Sequence, residues 1–255
     1  MKKLLTLIVF TIIGWQATAQ QDALYSSYRF NPLALNPGYA GSRDAISVVL
    51  LHRSQWVGID GAPMTQSLAI HSPIGNTNLA IGFNAAHDQI GPTNNLMGFL
   101  TLAYHLPLKK GKLSFGLKGG VYDGIFHFNQ LNFNQADPYE SSGTVHSVVP
   151  SFDFGVYYYT DYFFAGAAVS HMTKHQFKYE NVPTNNEQYL DRHYNLMVGG
   201  AIPVHPNVVL KPSLKAQYVY GAPFTFDVNF STLLYKKVWV GVSYRFHNSV
   251  VFLTE

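Results

Sequence analysis

Eleven histidines in a chain of 255 residues raise the first chemical question: does any group of them hold a metal ion or serve a nucleophile? His171 and His175 stand four apart, the spacing of the zinc motif H-E-x-x-H, but Met172, Thr173 and Lys174 lie between them and the glutamate is missing. They also fall where an extended segment gives way to a loop, so they share no helical face, and solvated imidazoles at a rim are the expected state. His52, His71, His87, His105 and His127 lie near segment ends, where imidazole takes the place of an interfacial aromatic ring. The chain carries no G-x-S-x-G elbow, phosphate loop or dinucleotide fingerprint. A serine and a histidine on neighbouring strands could pair as nucleophile and base, but the sequence singles out no such pair. The expectation is a non-enzymatic protein without metal or cofactor.

A second set of residues is charged rather than reactive. Lys118, Asp153, Lys211, Lys215, Asp227 and Arg245 occupy the polar positions of segments in which polar and apolar residues alternate. Two readings follow. Rings of charge lining an aqueous pore sort ions; charges of mixed sign facing one another inside a closed space pair and fill it. The mixture of signs favours pairing.

The elements that must position these residues have period two. Leu113, Phe115, Leu117 and Val121 alternate with Ser114, Gly116, Lys118 and Gly120. Phe226, Val228 and Phe230 alternate with Asp227, Asn229 and Ser231, and Val238, Val240, Val242 and Tyr244 with Trp239, Gly241, Ser243 and Arg245. Such alternation marks a sheet with two chemically different faces. About eleven strands of roughly ten residues are legible, with a twelfth opening at Val250. They fall near 45–54, 64–72, 78–87, 95–106, 112–123, 149–159, 162–171, 193–202, 208–220, 225–235 and 237–246.

Composition decides which solvent those faces meet. Only 12% of residues are charged while 15% are aromatic, with 17 Tyr and 18 Phe, against about 25% charged in soluble domains. A barrel in lipid needs an apolar outer face and aromatic rims, and tolerates a modestly polar lumen. The connections fit the same picture. Ser54–Pro63, His87–Asn94, Gly124–Val148 and Met172–Arg192 are long and alternate with the short Pro73–Asn76, Pro107–Gly111, Thr160–Asp161 and Pro203–Asn207. Brief periplasmic turns and extended external loops sort in this way. The rule weakens after residue 220, where the connections are all short.

The N-terminus reads as a secretory leader: Lys2 and Lys3, an apolar run from Leu4 to Trp15, and the cleavage site Ala17-Thr18-Ala19. Removing it takes the 17 basic residues to 15 against 14 acidic ones, a balance that gives no reason to propose nucleic acid. The absence of cysteine argues against a disulfide scaffold. The expected organisation is a leader at 1–19, a periplasmic N-terminal segment at 20–44 and an outer-membrane β-barrel at 45–255. Because bacterial barrels have even strand counts and the last strand opens near the end, a fragment lacking two or three C-terminal strands is expected.

One block is more specific than any of this. It runs Tyr25-Ser-Ser-Tyr28-Arg-Phe30-Asn31-Pro32, then Asn36-Pro37-Gly38-Tyr39-Ala40-Gly41-Ser42, then Arg53-Ser-Gln55-Trp56-Val57-Gly58-Ile59-Asp60-Gly61-Ala62-Pro63. It resembles the PorP/SprF family of type IX secretion proteins in both residues and spacing. The resemblance implies a single-chain outer-membrane barrel of about fourteen strands that anchors or helps deliver a secreted surface protein, gliding adhesins among them. The implied partners are the secreted client, other type IX components, a periplasmic peptidoglycan-linked protein and membrane lipid. A porin-like channel for small solutes is the alternative. Physically, the two Asn-Pro pairs initiate turns and suit a segment held at the barrel mouth or entering it as a plug. Gly58 and Gly61 would supply tight turns in the first external loop, and Trp56 a rim or docking ring. Tyr122, Phe126, Phe128, Phe133, Tyr139 and Tyr179, in or beside the connections 124–148 and 172–192, are candidates for protein contact.

Overall fold

The computed structural model describes residues 31–131, 143–179, 189–235, 237–246 and 249–254. The expected leader at 1–19, Tyr25 to Phe30, Phe133 and Tyr139 lie outside the described residues. The architecture is one large antiparallel sheet. Strands β1 (Ser47–Ser54), β2 (Met64–Pro73), β3 (Leu79–Ile90), β4 (Thr93–Leu108), β5 (Gly111–His127), β6 (Thr144–Tyr159) and β7 (Phe163–Ser170) pair with their sequence neighbours. A small separate ribbon follows, β8 (His175–Gln176) with β9 (Tyr189–Leu190). β10 (His193–Gly200) then pairs with β7 on one side and β12 (Val208–Val219) on the other, and β11 (Ile202–His205) continues β10 along β12. β13 (Thr225–Leu234), β14 (Val238–Arg245) and β15 (Ser249–Thr254) complete the order. Counted along the ladder there are twelve neighbours, with β11 as a thirteenth strand beside β12. Among the described residues β1 and β15 are not paired with each other, so the sheet is not closed.

The distribution of side chains is inverted relative to a soluble protein. On the outer face Leu50, Leu100, Leu117, Leu196 and Phe230 are exposed, while Ser114, Ser151, Asp227, Asn229 and Ser231 on the inner face are buried. A sheet that shows leucine outward and hides serine and aspartate is built for lipid outside and a polar interior. Exposed aromatic rings collect in two belts. Tyr104, Tyr162, Phe163 and Tyr235 lie at the end of the short turns, and Tyr194, Tyr220, Phe224 and Phe246 at the opposite end. No helix among the described residues is long and apolar enough to cross a membrane.

Two expected long connections are shorter than the sequence suggests. β3 and β4 stay paired through Asp88↔Asn95 and Ile90↔Thr93 and turn at Gly91 and Pro92, so 87–94 is a hairpin and not a loop. β5 and β6 likewise pair through Gly124↔Ser147 and His127↔Thr144, which confines that connection to Phe128–Gly143. The physical reason is common to both. A strand that runs past the hydrocarbon has water on both sides, so its two faces lose the chemical contrast that made the rest of it legible.

Candidate functional site

The lumen is occupied by the chain's own N-terminal block. Asn31 caps a single helical turn, α1 (Pro32–Leu35), its Oδ1 accepting from the backbone N–H of Ala34 at 3.3 Å with Pro32 at the first helical position. Asn36 does the same for a 3-10 turn at Pro37–Tyr39, its Oδ1 accepting from Gly38 N–H at 2.8 Å. Both Asn-Pro pairs therefore act as turn starts, since asparagine satisfies an orphan N–H and proline has none to lose. The segment does not rest at the mouth: Leu33, Asn36 and Ala40 are 1%, 0% and 0% exposed, inside the sheet.

The wall is shaped to receive it. Inward positions under the plug are small: Ala69, Ala80 and Ala103 surround Leu33, Tyr39 and Ala40. On β5, β6 and β7 the facing residues are glycines. A Cβ on Gly116 would sit 2.2 Å from the carbonyl carbon of Pro37, one on Gly155 2.2 Å from Asn36 Oδ1, and one on Gly166 2.7 Å from Asn36 Nδ2. With the floor this close, the Asn36 amide reaches the strands themselves, donating to the carbonyls of Val156 (3.0 Å) and Ala167 (3.3 Å). Lys118 Nζ donates to Ala34 O at 3.1 Å.

Two histidines expected at rims are buried in this arrangement. His71 is 3% exposed and its Nδ1 accepts from Gly41 N–H at 3.0 Å; His105, 6% exposed, places Nε2 2.9 Å from Ala40 O and Nδ1 3.2 Å from the Tyr159 hydroxyl. Both hold the end of the plug, where Gly41 has a φ of +76° and a Cβ would lie 2.3 Å from Ala80. Tyr39 packs edge-on against His71 and Tyr157 and accepts from Arg43 Nε at 2.9 Å.

The opposite end is capped from outside. Leu190 of β9 is 1% exposed against Tyr122 and Val149, with Phe177 packed beside them, and Lys178 N–H donates to Ser147 Oγ at 2.8 Å. Tyr122 (2% exposed) is thus core of this cap and not a surface for partners, while the Phe126 and Phe128 rings pack against each other, tilted by 59° with centroids 4.6 Å apart. Tyr179 is half-buried; burial, then the nearby Asp123 carboxylate, raises its phenol above the ordinary tyrosine range. His171 also moves inward. It is 4% exposed, its Nδ1 lies 2.7 Å from Ser151 Oγ and its ring meets that of His193 at 5.4 Å. The alternation that marked strands said nothing of a loop folding back, which is why this histidine read as solvated. Ser151 is fully buried. His175 is elsewhere, half-buried on β8.

The inward charges pair. Lys118 Nζ is 2.6 Å from Asp153 Oδ2; Asp227 accepts both Arg245 Nε (2.7 Å) and Nη2 (3.0 Å) and lies 3.6 Å from Lys215 Nζ. Each of these five is at most 6% exposed, so each charge needs its partner. Lys211 is half-buried, with Nζ 4.2 Å from the centre of the Trp239 ring. Between plug and cap a cavity of about 70 Å³ remains, bordered by Asn84, Lys118, His171, Asn195, Lys215 and Gln217. That is room for about two waters, and the buried oxygens of Asn84, Asn195 and Gln217 have no hydrogen-bond partner among the described residues.

The rest of the motif forms the first loop at the same end as the cap. Arg53 lies near the end of β1, paired opposite Thr65, and Gln55 N–H donates to Pro63 O at 3.0 Å. Trp56 (φ 48°) stands 64% exposed beside Val57 and Ile59, and Gly58 and Gly61 take φ of +94° and +71°. Gly61 O accepts from Gly91 N–H at 2.8 Å, which ties this loop to the β3–β4 turn.

A family model described as type IX secretion system membrane protein PorP/SprF matches residues 17–255. No curated protein matches the chain.

Proposed function

The chain belongs to the PorP/SprF family of type IX secretion system membrane proteins, and on that premise we propose that it is a non-enzymatic outer-membrane barrel that anchors or helps deliver a secreted surface protein. The observation that carries this reading is the filled lumen. A solute channel needs a continuous path, whereas here α1 and the Asn36 turn sit on a glycine floor and the β8–β9 ribbon covers the other end. A barrel closed by its own chain works as a platform, and its working surface is then the rim. At the end opposite the short turns, Trp56, Val57 and Ile59 stand exposed on one loop, and exposed aromatic and aliphatic side chains of this kind suit protein contact. Other type IX components and a periplasmic peptidoglycan-linked protein are the proposed partners besides the client.

The test is removal of residues 129–142, which leaves the paired ends of β5 and β6 in place. The barrel should still fold, seen as heat-dependent migration on gels, while the client is lost from the cell surface. Display that continues unchanged would defeat the anchoring role, and a steady open conductance of the intact protein in planar bilayers would favour the pore.

A further inference from the structure

At the short-turn end, between the plug and the wall formed by β10, β12 and β14, lies a cavity of about 560 Å³ that the role proposed above does not use. A space of that size holds a drug-sized ligand, and barrel mouths are a recurrent place for one. Its walls are aromatic, with Tyr39, Tyr157, Tyr159, Phe164 and Trp239 turned to it. Its charges are two cations, Arg43 and Lys211, against a single carboxylate, Asp161 on the exposed turn. Lys211 is seated over the Trp239 ring and Arg43 is steadied by Tyr39, so neither long side chain has its full freedom to lose on binding. Tyr157 is 5% exposed and its ring borders this space.

We propose that this cavity seats a short acidic segment of an extended peptide. Carboxylates fit Arg43 and Lys211: guanidinium offers a carboxylate two parallel donors, and half-buried Lys211 lies over an aromatic ring that lowers the local dielectric. Apolar side chains of the same segment fit among the rings, and the grouping of tyrosine, tryptophan and arginine is the composition that dominates protein-contact energetics. Asp161, on the turn at the mouth, repels a second carboxylate and sets which way the segment enters. Only the compartment that supplies the peptide rests on the role proposed above; binding itself does not.

The experiment uses the full chain in detergent and a fluorescein-labelled tetrapeptide of alternating glutamate and phenylalanine, followed by anisotropy. Binding is expected, with an affinity about tenfold lower when Arg43→Gln and Lys211→Gln are combined. Asp161→Asn, a change on an exposed turn that the fold tolerates, should tighten it about threefold. The counterpart with lysine in place of glutamate should not bind. Absence of binding, equal binding of the lysine peptide, or indifference to all three substitutions overturns the proposal. So does saturation by N-acetylmuramic acid in place of the peptide, which would make the occupant a sugar. Binding that appears only after residues 20–30 are removed would assign the cavity to the chain's own N-terminal segment. None of these readouts depends on secretion of a client, so this proposal and the anchoring role fail separately.

Discussion

At the scale of single residues, Asn36 is the pin of the plug. Its amide makes three hydrogen bonds, two of them to carbonyls of adjacent strands more than a hundred residues away. Asn36→Ala removes all three and leaves those carbonyls to find water, a loss of about 1–3 kcal/mol in plug seating. Gly155→Val is harsher, because the floor has no room: the Cβ alone would overlap Asn36 Oδ1. Both variants should retain the barrel, since the ladder and not the plug sets strand register. The N-terminal segment should become cleavable by protease in the detergent-solubilised protein, partly in Asn36→Ala and fully in Gly155→Val. Gly98→Ala, where a Cβ meets nothing within 4 Å, is the matched control. A Gly155→Val protein as resistant as the parent would mean that the plug is not held by close approach to this wall.

At the scale of elements, the molecule has two closures of different origin, one from the N-terminal turns and one from the β8–β9 ribbon. They meet different parts of the wall: the plug lies against β2 to β7, the ribbon on the far end of β5 and β6. Conductance should therefore need both to be displaced. Replacing residues 175–190 by a short glycine-serine linker should leave a folded, non-conducting barrel, and adding Gly155→Val should open it in planar bilayers. Conduction by the linker variant alone would show that the plug does not seal. The sequence made the strands legible and the closures much less so, for a physical reason. Strands announce themselves through alternation between lipid and lumen, as in 113–121 and 238–245, and the inward charges Lys118, Asp153, Asp227 and Arg245 follow from it. The plug is written in a different signal, the small inward residues Ala69, Ala80, Ala103, Gly116, Gly155 and Gly166 on β2 to β7, which contrast with the bulkier Lys215, Asp227, Asn229 and Arg245 on β12 to β14. Read as a footprint, that asymmetry would have located the plug and taken His71 and His105 off the rim. The cap carries even less, since Phe177, Tyr189 and Leu190 are three apolar residues in a polar loop whose partners cannot be known before the sheet is built.

At the scale of the whole molecule, the fold depends on which side of the sheet meets lipid. In water, an arginine added to the outer face would be close to neutral at any height, because exposed positions there carry no burial. In a bilayer the cost depends on depth: about 2–4 kcal/mol at the midplane, falling to about 0–1 near the interface. Leu117 lies midway along β5 and points outward at 62% exposure, opposite Leu102 and Phe154, whereas Leu106 lies near the short-turn end of β4. Leu117→Arg should therefore lower the unfolding free energy in lipid vesicles by that larger amount, and Leu106→Arg by the smaller. The Asp227 cluster, facing inward, takes no part in this gradient and serves as the internal standard. Equal costs at 106 and 117 would mean that no hydrocarbon spans this face, and the inverted distribution of leucine and serine would then need another solvent to account for it.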